Sequence, residues 1–257
     1  MQALQITQPG AYAVVDLPVP EPGVGEVLLR LRRVGFCGSD LNTFRGRNPL
    51  VSFPRVPGHE LGAEIAALGP GVPAHFQVGQ RVTVSPYLPC GQCAACRRQR
   101  PNACRRNQTL GVQRQGAMAP WHVEAHQRVF PVADLSFAEL ALVEPLTIGA
   151  HAVGRAQITA EDTVAVIGCG AVGLGVVAAA AARGAQVIAL DLAEDKLALA
   201  RQCGAQQTLV ARGDDLAHQL QDLTGGEGPA VVIEAVGLPS TFRLAVEAVA
   251  FAGRVVY

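Results

Sequence analysis

Apolar residues change their rhythm near the middle of this chain. Beyond about residue 160, short apolar runs recur at 164–167, 186–190, 207–210, 230–233 and 254–257, roughly every twenty residues. Between them lie stretches of helical composition at 174–183, 194–203, 214–223 and 240–251. Strand and helix alternating in this way predict βαβ units on a parallel sheet. The earlier part reads differently. It has a strand at 26–34, a turn and strand over 78–84 and a shorter strand at 129–132, punctuated by proline and glycine at 18–25, 54–58 and 69–73. Several short strands with few helices predict a β-rich domain with long loops.

The two rhythms place a domain at 1–150 and a second, doubly wound α/β domain at 151–257. The second stops within its fifth strand. A six-stranded dinucleotide fold needs at least one more βα unit of about 30 residues, so the chain is expected to be cut short at its C-terminus.

Composition narrows the classes. The 257 residues carry 21 basic and 21 acidic side chains, with 49% hydrophobic and 16% charged. Such a chain buries a core, and its balanced charge gives no footprint for nucleic acid or an anionic membrane. The uncharged stretch 164–182 is long enough to span a bilayer, but four glycines (Gly168, Gly170, Gly173, Gly175) break it into strand, turn and helix. The N-terminus has no signal-peptide pattern, which places the protein in the cytoplasm. Seven cysteines, an odd count without a secretion signal, point to metal or reactive thiols rather than disulfides.

Four of them, Cys90, Cys93, Cys96 and Cys104, fall within fifteen residues. An all-cysteine quartet suits a closed, structural zinc site, with an iron–sulfur cluster or free thiols as alternatives. The intervening residues could not form a core, and the arginines from Arg97 to Arg106 could stabilise thiolate charge.

Gly35-Phe-Cys-Gly-Ser-Asp40 and Pro57-Gly-His-Glu-Leu61 supply Cys37, His59 and Glu60, one sulfur, one nitrogen and one oxygen. Three protein ligands and a vacancy make a catalytic zinc site, although Cys37 could equally be an inert core thiol and His59 a structural residue. Glu144 is either a fourth ligand, a holder of the metal's water, or a cap on a following helix.

Gly168-Cys-Gly-Ala-Val172-Gly173 follows a strand and opens a helix, the context in which G-x-G-x-x-G cradles a pyrophosphate. Asp191, at the end of the next strand, would accept hydrogen bonds from a ribose diol and repel a 2′-phosphate, favouring NAD; alternatively it caps a helix.

Together these motifs resemble the zinc-dependent medium-chain dehydrogenase/reductase superfamily over the whole chain. The resemblance implies a GroES-like catalytic domain followed by a Rossmann domain. It also implies two zinc ions per chain, one catalytic at Cys37, His59 and Glu60 and one structural at the quartet, together with NAD held by Gly168, Gly170, Val172, Gly173 and Asp191. Glu144-Pro-Leu and Gly149-Ala-His151 are similar to the polyol and threonine dehydrogenase branch, where glutamate replaces a cysteine ligand. Phe53-Pro-Arg-Val-Pro-Gly-His-Glu60, Pro86-Tyr-Leu-Pro-Cys-Gly-Gln-Cys93 and Leu110-Gly-Val-Gln-Arg114 look most like bacterial sugar-acid (hexonate) dehydrogenases.

The implied reaction moves a hydride from a secondary alcohol of a small polyol or sugar acid to NAD, with Ser39 passing on the proton. The alternatives are a threonine-type amino-alcohol dehydrogenase and a non-catalytic, zinc-stabilised NAD-binding protein. Arg114 or Arg55 could meet a substrate carboxylate. A homo-oligomer, dimer or tetramer, is implied for the full-length form. The sequence departs from the family at Asn42, where relatives carry a relay histidine, and at Gly116-Ala-Met-Ala-Pro-Trp121, which should reshape the substrate pocket.

Overall fold

A computed structural model describes every residue of the chain except Asp214. Its contacts divide the chain into two compact units, Met1–Glu144 and Pro145–Tyr257.

The first unit opens with the hairpin β1 (Gln2–Gln8) and β2 (Ala11–Asp16), then β3 (Glu26–Val34), helix α1 (Gly38–Phe44), β4 (Leu61–Leu68) and β5 (Arg81–Val84). A small lobe follows: β6 (Tyr87–Leu88), helix α2 (Ala94–Arg97) and β7 (Gln108–Thr109), then β8 (Trp121–Ala125) and β9 (Val129–Pro131). Five strands form an antiparallel sheet in the order β8-β3-β4-β5-β9. In β3 the side chains alternate, Val27 and Leu29 buried and Arg30 exposed, so one face meets a core of Leu61, Ile65, Val82 and Val84. Strand β4 (Leu-Gly-Ala-Glu-Ile-Ala-Ala-Leu) has weak strand propensity, and the pairing offered by β3 and β5 overrides it.

Helix α3 (Phe137–Arg155) spans the boundary between the units along the sequence and carries Pro145 inside it. Glu144 therefore lies within a helix rather than at the start of one, which removes the capping role considered from sequence.

The second unit runs β10 (Thr163–Ile167), α4 (Ala171–Ala182), β11 (Gln186–Asp191), α5 (Glu194–Gln202), β12 (Gln207–Val210), α6 (Leu216–Asp222), β13 (Val231–Glu234), α7 (Pro239–Ala248) and β14 (Arg254–Val256). Its sheet is parallel, ordered β12-β11-β10-β13-β14. Helices cover both faces, which is why β10 reads as an unbroken apolar run. Val164 and Val166 enter one core with Val176, Val177 and Val187, while Ala165 and Ile167 enter the other with Ile188, Leu190 and Val232. Strand order reverses between β11 and β13 on either side of β10, the kind of switch point where such sheets bind ligands.

Helix α4 starts at Ala171, earlier than the composition suggests, because Gly170 is already its N-cap. The helix expected from residue 214 is seen from Leu216; its predicted first residue, Asp214, lies outside the described residues. Among the described residues no helix is long and apolar enough to cross a membrane.

Candidate functional site

Helix α1 opens at Cys37 as its N-cap, with Asp40 at the third helical position. The buried Asp40 carboxylate accepts the Cys37 N–H at 3.0 Å through Oδ2 and the Gly58 N–H at 3.0 Å through Oδ1. One side chain thus ties the loop bearing Cys37 to the loop bearing His59. Its Oδ1 also lies 3.9 Å from His59 Nδ1, a buried nitrogen with no hydrogen-bond partner among the described residues.

Glu60 is fixed from the other side. Its carbonyl accepts the Gly35 N–H at 2.7 Å, and its side chain lies where a Cβ on Gly35 would be, 2.1 Å from Oε2 and 2.9 Å from its own Cβ. Only glycine leaves that space. The outcome is that ligand atoms of Cys37, His59 and Glu60 all lie within 4.8 Å of one another.

This set fits a divalent cation on its own electrostatics. Burial alone would depress the His59 pKa, yet the Cys37 hydrogen bond and the fields of Asp40 and Glu144 raise it to about 9. Burial raises Glu60 as well, helped by Glu144 and Asp40 and opposed by His59. The pocket concentrates acceptors and draws positive charge, and a mixed S, N, O donor set is one that zinc accepts.

Ser39 Oγ, two residues from Cys37, is buried without a hydrogen-bond partner among the described residues. Asn42 is exposed. Glu144 is buried and close enough to influence His59 and Glu60, but it is not one of the three converging residues. Its Oε1 accepts the Tyr87 hydroxyl at 2.6 Å.

Asp40 and Tyr87 are the residues that sequence reasoning missed. Asp40 had a readable signal, an acid three residues into a helix start. Tyr87 had none. Arg114 is held by the buried Glu124 at 2.7 Å, which takes it away from the substrate role considered for it. Arg55 is buried, its Nη2 donates to Ser52 Oγ at 3.0 Å, and desolvation lowers its pKa.

In the small lobe, all four cysteines are free thiols whose sulfurs lie within 4.8 Å of one another. Cys93 Sγ is 3.5 Å from that of Cys96 and 3.8 Å from that of Cys104. A tetrahedron of about 2.3 Å zinc–sulfur bonds has edges of about 3.8 Å, whereas a disulfide needs about 2.05 Å. The spacing is that of a metal cage. Backbone N–H groups of Gln92 and Cys93, with the side chains of Cys104 and Arg106, lower Cys90 to about 6 against its own burial, while burial and the neighbouring thiols push Cys96 up to about 12. From 90 to 107 only Cys104 is buried, so no apolar core holds this lobe together.

The glycine turn is equally specific. Gly168 has φ +94°, a Cβ on Gly173 would sit 1.8 Å from the Gly168 carbonyl oxygen, and a Cβ on Gly170 would meet nothing. The first and third glycines allow strand and helix to close up, and the second faces open space at the N-terminus of α4. That space belongs to a cleft of about 990 Å³ lined by Gly168, Gly170, Asp191, Lys196, Val236 and Thr241, among others. Asp191 ends β11 and also serves the entry to α5: Oδ1 accepts the Ala193 N–H at 3.0 Å, Oδ2 accepts the Cys169 N–H at 2.8 Å, and Lys196 Nζ lies 3.7 Å away.

Family models match both units: an alcohol dehydrogenase GroES-like domain over residues 23–134 and a zinc-binding dehydrogenase domain over 171–257. L-galactonate-5-dehydrogenase of Escherichia coli is 34% identical over 257 residues, covering all of this chain and 75% of that protein. This chain belongs to the zinc-type alcohol dehydrogenase family. Erythritol/L-threitol dehydrogenase of Mycolicibacterium smegmatis is 38% identical over 92% of this chain and 70% of its own length. Among solved structures, a short chain alcohol dehydrogenase from Escherichia coli CFT073, complexed with NADH, matches 99% of this chain and 75% of that one at 31% identity and a TM-score of 0.91. The dehydrogenase family thus accounts for both the GroES-like sheet and the Rossmann sheet, and for zinc and a nicotinamide cofactor.

Proposed function

We propose that this dehydrogenase oxidises a secondary alcohol of a polyol or sugar acid with NAD, reversibly, using two zinc ions per chain. The observation that carries the reading is the convergence of Cys37, His59 and Glu60 within 4.8 Å. Residues 1–150 form the catalytic domain and 151–257 the NAD-binding domain in this reading.

The chemistry a bound zinc would supply at this set is Lewis-acid polarisation of the substrate hydroxyl, and that of a bound NAD would be hydride acceptance. The protein's own side chains do the rest. Cys37, His59 and Glu60 would hold the catalytic ion, and three protein donors are the number a catalytic zinc uses when a substrate oxygen must also bind. Asp40, 3.9 Å from His59 Nδ1, acts on the imidazole through its charge. Ser39 Oγ accepts the hydroxyl proton while donating its own onward, to water, since the amide of Asn42 cannot carry it. Glu144 sits beside the set and biases its charge. Cys90, Cys93, Cys96 and Cys104 would hold the structural ion. Gly168, Gly170, Val172 and Gly173 form the turn beneath the pyrophosphate, and the Asp191 carboxylate binds the ribose diol. The protein acts as a homo-oligomer, dimer or tetramer, in the cytoplasm, which sedimentation and cell fractionation check.

The test is NADH appearance with NAD and a panel of hexonates, polyols and threonine. Turnover of a polyol or hexonate is the expected result. No NADH from any of them, with both zinc sites loaded, overturns the reading.

A further inference from the structure

The four-cysteine lobe stands on a two-rung ladder. Strand β6 pairs antiparallel with β7, Tyr87 opposite Thr109 and Leu88 opposite Gln108, and the Leu110 N–H closes onto the Pro86 carbonyl at 2.9 Å. Cys90 follows β6 after Pro89 and Cys104 precedes β7, so closing the cysteine cage ties together the segments that leave and enter the ladder. One rung of it, Tyr87, reaches Glu144 at 2.6 Å across 57 residues of sequence. That is the ordinary length of a charge-assisted bond from a hydroxyl to a carboxylate.

Glu144 is the one nearby carboxylate whose ligand role the sequence left open. It is 7% exposed, it acts electrostatically on His59 and Glu60, and it stands outside the converging set of Cys37, His59 and Glu60. A buried carboxylate beside a divalent cation gains by turning onto it unless its oxygens are held elsewhere. We infer that Tyr87 is a positioning residue: its hydroxyl, carried on the base of the four-cysteine lobe, holds the Glu144 carboxylate off the three-residue set and keeps a coordination position free for substrate. The inference rests on the reading of that set as the catalytic zinc site. It also gives the structural metal a second consequence, since the lobe it folds is the platform on which Tyr87 stands.

Tyr87→Phe keeps the ring and removes only the donor. The experiment compares wild type, Y87F, E144A and the double variant, each with cobalt(II) replacing zinc, reading the visible absorption bands of the cobalt, the resistance of the metal to a chelator, and kcat and KM. In Y87F, release of Glu144 should shift the cobalt bands, slow metal loss and lower kcat by about tenfold or more, with KM for NAD unchanged. In the E144A background Y87F should have no further effect on either the spectrum or kcat. Unchanged bands and kcat in Y87F overturn the inference, and so does an equal loss in the E144A background, which would place the action of Tyr87 elsewhere. Wild type that takes up cobalt only at the cysteine lobe would overturn the zinc-dehydrogenase reading, and this inference with it, before any variant is compared.

Discussion

Replacing Gly35 with alanine should weaken the Cys37–His59–Glu60 set while sparing the cysteine lobe. The added methyl would lie 2.1 Å from Glu60 Oε2 and 2.9 Å from Glu60 Cβ. Rotating the carboxylate relieves the first contact. It cannot relieve the second, because Cβ is fixed by the backbone, and the Gly35 N–H to Glu60 carbonyl bond of 2.7 Å pins the two segments together. The local backbone must part, an overpacking cost of about 1–3 kcal/mol. For a protein of this size each kcal/mol lowers Tm by roughly 2–4 °C. The larger effect is on the metal: with Glu60 displaced, affinity at this site should fall by about 10–100-fold. The assay is zinc content per chain against increasing chelator, with NADH formation followed in parallel. The cysteine lobe serves as an internal control, so content should fall from two ions toward one while the second is retained. Wild-type chelator resistance at both sites, with the methyl accommodated, would refute the steric argument and with it the placement of Glu60 as a ligand.

Three further outcomes follow from the same geometry. Glu124 is 1% exposed and accepts from Arg114 at 2.7 Å, from Arg128 Nε at 2.9 Å and from the Arg128 Nη2; E124Q strands two guanidinium groups and should cost about 3–5 kcal/mol by thermal melt. Burial would raise the Glu124 pKa, but His122, 3.5 Å away, and the hydrogen bonds from Arg114 and Arg128 more than offset it and hold the carboxyl far below its usual 4.5. Its stabilisation is therefore present above about pH 4.5 and lost as pH falls toward the lowered value, so wild type should lose Tm with acid over that window and E124Q should lose less; parallel curves would contradict this. Asp191→Ala should weaken NADH binding by roughly 10–100-fold, the loss of about 1.5–3 kcal/mol for a hydrogen bond to a charged group, and narrow the preference over NADPH; fluorescence titration reads both, and equal affinities in variant and wild type would remove Asp191 from the ribose site. Cys93→Ser should drop zinc to one ion per chain and speed hydrogen exchange across 90–107, where only Cys104 is buried, while amides of β10 and β11 keep their protection.

What could be read from sequence was whatever is local. The four cysteines, the glycine turn and the β10 run each carry their meaning within about fifteen residues, because a metal cage, a phosphate turn and a buried strand are short-range devices. Strands β3 and β12 were legible for the same reason, whereas β1, β4 and β8 were not, since an Ala- and Gly-containing segment such as β4 becomes a strand only when β3 and β5 offer it partners. Glu144 shows the same limit at the site. As an acid it was open to a capping role at a following helix, yet the helix runs from Phe137 and passes through Pro145.

The residues that organise the chemistry are the least legible of all. Asp40 links two loops through contacts 3 and 18 residues apart, Glu124 gathers Arg114 and Arg128, and Tyr87 meets Glu144 over a separation of 57. Apart from the Cys37–Asp40 spacing at the start of α1, none of these pairs leaves a trace of a helix or strand repeat, because each is selected by the tertiary structure. A ligand must have one of a few donor atoms, so its identity shows in the sequence. The group that aims it needs only a hydrogen bond of the right length and direction, and many residue types at many positions could provide that. Orientation at this centre is accordingly a property of the folded β-rich unit, and it should be lost when β6 and its lobe lose their metal, even with Cys37, His59 and Glu60 intact.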